Sequence, residues 1–245
     1  MAKFQLKKDY RPYRMVLKDK GPHRFGGPAA HYGVIPTGTE TPLHHFLFMD
    51  LSDPNCPVRT DSSINNLPLY YPLKYGQGGP EVQYSVKSNT EIQILYMSDE
   101  IPDEEENQYV QVSVLPESRA EIIPLEYEEA RILGFREADS YFQPNDDDIA
   151  ILHHLYGQDI ISMGGNLIRI GGVQMGVRHA QDVVCRNQEC QLYGRRVYFD
   201  VIAAIPPVPI NGSDDFWYEF QGGDMQFCFG LCHYCGTVIA FNRAS

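Results

Sequence analysis

The cysteines constrain this chain more than any other feature. Five of its six lie in the last quarter. Cys185 and Cys190 are separated by four residues, and about forty residues later comes Phe227-Cys228-Phe229-Gly230-Leu231-Cys232-His233-Tyr234-Cys235-Gly236. A Cys-x2-Cys followed at once by Gly is the signature of a metal knuckle. The tight turn lets two thiolates approach one ion, and Gly takes a backbone conformation that a Cβ would oppose. Two such pairs close a tetrahedral thiolate site, which suits Zn²⁺. Reduced, buried cysteines would also cluster as small apolar side chains, but that reading does not account for the Cys-x2-Cys-Gly spacing. Disulfides fit poorly with a sequence that shows no export signal.

The expected ligands are Cys185, Cys190, Cys232 and Cys235. Four thiolates saturate zinc and leave no position for water, so the expected site is structural, not catalytic. Cys228 is the spare: in the strand-like run 224–229, Met225, Phe227 and Phe229 share one face and Cys228 points away with Gln226. Because the Cys-x4-Cys spacing is looser than a usual knuckle, Cys228 remains an alternative to Cys190 as fourth ligand. Cys56, between Pro54 and Pro57, reads as a lone thiol.

At 245 residues the chain suits one large domain or two fused units. Its 16 Tyr, 12 Phe, 21 Gly and 17 Pro favour strands and turns over long helices. The net charge of −12 argues against nucleic acid or an anionic membrane as partner and is compatible with a basic protein. No apolar run approaches a membrane span, and residues 1–15 are basic without the apolar core of a signal peptide. Together with unpaired cysteines, this points to the cytoplasm.

Along the chain, residues 1–24 read as an extended basic arm or first strand, followed by a turn at Phe25-Gly26-Gly27-Pro28. Residues 45–51 form a strand buried on both faces, and 67–75 an aromatic strand. Three alternating runs follow, at Val82/Tyr84/Val86, Ile92/Ile94/Tyr96 and Val110/Val112/Val114, each a half-buried antiparallel strand. The acidic run from Asp99 to Glu106 reads as a solvated loop. The period then becomes helical at 125–135 and again at 147–156, the second helix capped by Asn145 or Asp146 and ended by Gly157.

After this helical middle the order of features returns: the glycine pair Gly171-Gly172, a strand at 197–205, a proline loop, the aromatic run Phe216–Phe220, the glycine pair Gly222-Gly223, then strands at 225–229 and 237–241. We read an internal duplication. The expected fold is α+β but predominantly β. It comprises an antiparallel lobe over 1–115, a helical connector over 116–160, and a second, similar lobe over 161–245 carrying the zinc site.

These residues carry a family likeness. In Phe25-Gly26-Gly27-Pro28 followed by Phe46-Leu47-Phe48-Met49-Asp50-Leu51, in the glycine pair at 171, in the cysteine pair before residues 197–205, and in Gly222-Gly223-Asp224, the chain resembles the YwqG-like family of bacterial proteins. The likeness runs over roughly residues 22–245. It departs at Val173-Gln174-Met175, where the family has Pro and an aromatic, and at Met49 and Val201, where a Gln is usual. The resemblance implies a duplicated β-rich fold without an agreed active site, and in some members a role as immunity proteins beside toxins.

Other chemistry is sparse. Neighbouring residues of a strand or helix point in different directions, so neither His44-His45 nor His153-His154 reads as a metal pair. His233 reads as a turn residue or a donor behind the metal ligands. Asp146-Asp147-Asp148, with Asp139 nearby, is explained by helix capping and the helix dipole. The glycine pairs lack the strand-then-helix setting of phosphate loops, and no hydrolase, P-loop or dinucleotide motif occurs. The leading expectation is a non-enzymatic, zinc-stabilised binding protein acting on a protein partner, with toxin neutralisation its most concrete form. The alternative is an enzyme or small-ligand binder working in a cleft between the lobes, walled by residues 69–75 and 216–220. A third reading is a scaffold subunit.

Overall fold

Strands buried on both faces account for much of the architecture. The computed structural model describes residues 3–7, 12–40, 42–73, 79–98, 114–132, 145–156, 168–171, 183–197, 199–205 and 226–243. Its N-terminal strands are β1 (Phe4–Leu6), β2 (Tyr13–Lys18), β3 (His23–Phe25), β4 (His44–Asp50), β5 (Val58–Thr60), β6 (Asn66–Tyr71), β7 (Val82–Ser88) and β8 (Glu91–Met97). Then come β9 (Ser118–Pro124), α1 (Tyr127–Ile132), α2 (Asp146–Tyr156), β10 (Ile168–Ile170), β11 (Phe199–Ile205), β12 (Gln226–Cys232) and β13 (Val238–Arg243). The alternating runs at 82–86 and 92–96 are the hairpin β7–β8, although β7 is not half-buried as expected, since Gln83 and Ser85 are buried too, and the doubly buried run at 45–51 is β4. Of the expected strand at 110–114 only Val114 is described, exposed in a bend, and the aromatic run at 216–220 lies outside the described residues.

Among the described residues eleven strands form one antiparallel sheet in the order β6-β4-β3-β9-β2-β10-β11-β12-β13-β7-β8, while β1 and β5 pair on their own. The expected split into side-by-side lobes is not drawn in this sheet. Residues before 115 supply both of its ends, and β10 to β13 lie between them. The cause is the long central pair: β2 and β9 run antiparallel from Tyr13↔Pro124 to Lys18↔Arg119. The basic arm of the sequence thus contains a central strand. β9 starts the segment expected to be a helical connector, with Ala120 and Ile122 buried on alternate positions.

Part of the sheet order corresponds on the two sides of the β9–β2 pair, although β13, β7 and β8 extend one side only. On one side β9 is followed by β3, β4 and β6; on the other, β2 is followed by β10, β11 and β12. Details repeat as well. The Gly26 N–H donates to the Phe46 carbonyl at 2.9 Å and the Gly171 N–H to the Ile202 carbonyl at 3.0 Å. Each acceptor sits in a β-bulge, between His45 and Leu47 on β4 and between Val201 and Ala203 on β11.

The sheet curls so that its ends meet around the main core. Phe46 on β4 packs on Phe227 and Phe229 of β12, with ring centroids 4.8 and 5.7 Å apart, and Tyr71 lies 5.7 Å from Phe227. At the β6 end the buried Tyr84 hydroxyl of β7 accepts from the Tyr70 N–H and donates to the Pro68 carbonyl, both at 2.9 Å. Those contacts satisfy backbone groups that an open edge would leave exposed. Across the sheet from this core, Val183, Cys185, Cys190, Val197, Ala204, Cys228, Cys232, Ile239 and Phe241 form a second, smaller core.

The helix signals fall where expected. Asn145 Oδ1 accepts from the Asp148 N–H at 2.9 Å, and Asp148 returns the contact to the Asn145 N–H at 3.2 Å. This reciprocal cap, with Asp146–Asp148 in the first turn, starts α2 without any ion. Among the described residues no helix is long and apolar enough to cross a membrane.

Candidate metal centre

The sequence-predicted ligands come together. One sulfur from each of Cys185, Cys190, Cys232 and Cys235 lies within 4.8 Å of the other three. The Cys185–Cys235 sulfurs are 3.7 Å apart and the Cys190–Cys232 sulfurs 3.9 Å. Tetrahedral thiolates at ordinary zinc–sulfur lengths stand about 3.8 Å apart, so the donor set fits a four-coordinate metal ion. A disulfide, with sulfurs about 2 Å apart, is excluded at these distances, and all six cysteines are free.

Local sequence makes each half of the cage. Cys232 ends β12, and the turn His233-Tyr234-Cys235-Gly236 leads into β13. The Gly236 N–H donates to the Cys232 carbonyl at 2.8 Å, while the Cys232 N–H donates to the Thr237 carbonyl at 2.9 Å. Gly236 holds φ +72°, and a Cβ there would stand 2.5 Å from the Phe4 backbone nitrogen. Gly is therefore required twice over, by conformation and by the approach of β1. In the first half, the Gly194 N–H donates to the Cys185 carbonyl and the Cys190 N–H to the Asn187 carbonyl, both at 2.9 Å, winding the four-residue spacer into a turn.

Polar contacts behind the sulfurs lock the two halves together. Asn187 Nδ2 donates to Thr237 Oγ1 at 3.0 Å, and Thr237 Oγ1 lies 3.1 Å from the Cys235 sulfur. The Leu192 N–H points at the Cys190 sulfur at 3.4 Å. Such donors stabilise thiolate charge and orient the ligands. The first half is also bound to the far end of the sheet. Gln83, wholly buried on β7, donates to the Val184 carbonyl at 2.7 Å and accepts from the Arg186 N–H at 2.8 Å. The Arg186 guanidinium lies 4.7 Å from the centre of the Tyr96 ring of β8.

The electrostatics describe a cage that requires a cation to ionise fully. Contacts with the Cys232 and Cys235 sulfurs, aided by burial, push the Cys185 thiol far above its usual range. Contacts from Cys185 and Cys232 pull Cys235 far below it. Cys232, pulled down by Cys185 but pushed up by Cys235 and burial, ends at about 11. One proton-poor sulfur is thus held by proton-bearing neighbours. A divalent ion would replace those protons and release them on binding.

Cys228 stands outside this set. It faces the small core as the alternation required, opposite Ala204 and Phe241, with the buried Arg169 beside it. Cys56 lies in the main core, where burial pushes its thiol up to about 12. His233 is exposed in the turn, 3.5 Å from Asp200, and stacks edge-on against Tyr234. His44 and His45 diverge as expected. His44 Nδ1 accepts from the Leu73 N–H at 3.1 Å while His45 Nδ1 donates to the Gly26 carbonyl at 2.7 Å. His153 and His154 are exposed on α2, where they line an open depression with Asp146, Ile149 and Ala150. Of the aromatic walls expected for a cleft, Leu69, Tyr70 and Tyr71 are buried in the main core. Asp139 and residues 216–220 lie outside the described residues.

Sequence reasoning missed Gln83 and a polar group around Arg24. The Arg24 guanidinium lies 5.3 Å from the centre of the Phe48 ring. The rings of His31 and His45 both pack on Phe48 and Tyr70. The signal for Gln83 was a polar residue on the strictly alternating strand β7, but its partners lie a hundred residues away. The chain matches no known family model, no curated protein sequence and no solved structure.

Proposed function

We propose that this chain is a non-enzymatic binding protein of the cytoplasm, stabilised by one structural zinc ion and acting through a protein partner. The carrying observation is the closed set of four sulfurs, which leaves no coordination position for water or substrate. The acidity of the chain favours a basic partner. The resemblance to YwqG-like proteins gives the reading its most concrete form, neutralisation of a toxin. Affinity capture from the native host should recover one dominant basic protein, and recovery of none across salt and metal conditions would sink the idea.

The duplication belongs to the same reading, in altered geometry. The corresponding strand order around β9 and β2 and the repeated glycine-to-bulge contacts support two interleaved copies, β2-β3-β4-β6 and β9-β10-β11-β12, each lending its first strand to the other. Only the second copy carries the clustered cysteines. If the copies are interdependent, neither segment 1–115 nor 116–245 expressed alone will show a cooperative unfolding transition, whereas co-expression will restore one. Independent folding of either segment counts against it.

A further inference from the structure

The four cysteines of the cage are not equally open to solvent. Cys185, Cys190 and Cys232 are buried, whereas Cys235, in the knuckle turn, is partly exposed. Its two predecessors, His233 and Tyr234, stand in solvent. Cys56 and Cys228, outside the cage, are buried as well. Access and thiolate character decide which cysteine a dissolved oxidant attacks. A sulfur bound to zinc is a thiolate at neutral pH, so in the loaded cage access alone distinguishes the four. Cys235 is therefore the sulfur that an oxidant meets first. This reactivity presupposes the zinc centre proposed above.

A second sulfur is in place to resolve that attack. The Cys185 sulfur lies 3.7 Å from that of Cys235, and the contact joins one half of the cage to the other across 50 positions of sequence. Contacts other than the metal hold both halves. Asn187 on one donates to Thr237 on the other at 3.0 Å, and Gln83 fastens the backbone on either side of Cys185 to β7. Closing the pair to about 2 Å therefore needs side-chain rotation and no separation of the halves. We propose that Cys235 is the peroxide-reactive ligand of a redox-releasable zinc centre, and that oxidation exchanges the zinc for a Cys185–Cys235 disulfide. The Cys235 thiolate attacks one oxygen of hydrogen peroxide; an S–O bond forms, the O–O bond breaks and hydroxide leaves. The Cys185 thiolate then attacks the sulfenic sulfur, forming the S–S bond and expelling a second hydroxide. The two thiolates together lose two electrons, and the two hydroxides take protons from solvent to become water. Only Cys190 and Cys232 then remain as donors, and the zinc departs. The disulfide keeps the halves joined, and reduction restores the ligands.

The test uses the full wild-type chain, purified with its metal and treated with hydrogen peroxide or, separately, with iodoacetamide. Peroxide is expected to release about one zinc ion for each disulfide formed, read with a chromogenic chelator. Peptide mapping should find Cys185 joined to Cys235, and a thiol reductant with added zinc should restore the metal content. Iodoacetamide should label Cys235 before any other cysteine. A chelator removes the metal and leaves no cross-link, so the oxidised protein should unfold at a higher denaturant concentration than the chelated one. Metal retained under peroxide, a first bridge between any other pair such as Cys232 and Cys235, or first labelling at another cysteine would overturn the proposal and leave the zinc centre standing. Protein that carries no metal when purified would instead refute the zinc centre, and this proposal with it.

Discussion

Gln83 and Val184, 101 residues apart in sequence, are joined by a 2.7 Å hydrogen bond from the Gln83 amide to the Val184 carbonyl. The same side chain takes the Arg186 N–H, so it pairs with the backbone on both sides of Cys185 as a neighbouring strand would. An N-terminal strand thereby fixes the position of a C-terminal metal ligand.

Replacing Gln83 with Leu removes both contacts and leaves the part-buried Val184 carbonyl and Arg186 N–H without them. The expected loss is about 2–3 kcal/mol of stability. Metal affinity should fall by about tenfold or more, because the first cysteine pair loses its anchor. Chelator competition and denaturant unfolding on the same variant check both. A metal affinity equal to that of the wild type would show that the knuckle holds its own shape.

The cysteines separate by role. Cys232→Ser or Cys235→Ser should take metal content from about one ion per chain towards zero and destabilise by several kcal/mol, since binding free energy at a structural site is folding free energy. Cys190→Ser should do the same. Cys228→Ser should leave the metal in place and cost under about 1.5 kcal/mol, and Cys56→Ser should leave metal content unchanged. Elemental analysis of the purified variants decides the matter. A wild-type protein free of metal would refute the zinc reading entirely.

Gly236→Ala tests the approach of β1 to the turn. The φ of +72° and the 2.5 Å distance to the Phe4 backbone cannot both be relieved by moving a side chain. A loss above about 1 kcal/mol is expected, with partial metal loss, because the turn shapes Cys235. Gly194→Ala is the control. It shares a positive φ of +72°, but a Cβ there meets nothing within 4 Å, so only the conformational cost remains. Similar losses at both positions would show that contact with Phe4 contributes nothing.

How much of this was legible in the sequence follows from how local each signal is. The alternation of Val82, Tyr84 and Val86 and of Ile92 and Ile94 is complete within one strand, and it gave the β7–β8 hairpin. The Cys-x2-Cys-Gly spacing likewise contains its own turn, and alternation alone set Cys228 apart. β3 and β10 are three residues long and hold no period to read. In β2 only Met15 is buried, and basic residues mask the pattern. The bulge at Phe46 breaks the period where it matters, so His45 and Phe48 could not be assigned to one face. The interleaving of the halves depends on the pairing of β2 with β9, whose register no local pattern specifies.

Acid sensitivity provides the last test, since three histidines are held neutral by the fold. Burial lowers His23 despite its 2.7 Å contact with Asp53 and the nearby Asp50. Burial lowers His31 against a weaker upward pull from Asn66, with Arg24 adding to the depression. For His45 burial dominates and Arg24 and His31 add repulsion, giving about 4; the Gly26 carbonyl only partly opposes them. A depressed histidine binds its proton more readily in the unfolded chain, so its stabilisation is complete above the unfolded value near 6.5 and is lost as pH falls towards the folded value. Between pH 6.5 and 5 most carboxylates stay ionised, which leaves this window to the histidines. For His45 the shift corresponds to about 3 kcal/mol, lost between about pH 6.5 and 4. Denaturant unfolding across this range should show stability falling with acid, with a shallower slope in His45→Gln than in the wild type. Bound metal is also released by acid, so the difference between the two proteins carries the test. Parallel slopes would mean that His45 keeps an ordinary pKa and that its ring is hydrated in the folded protein.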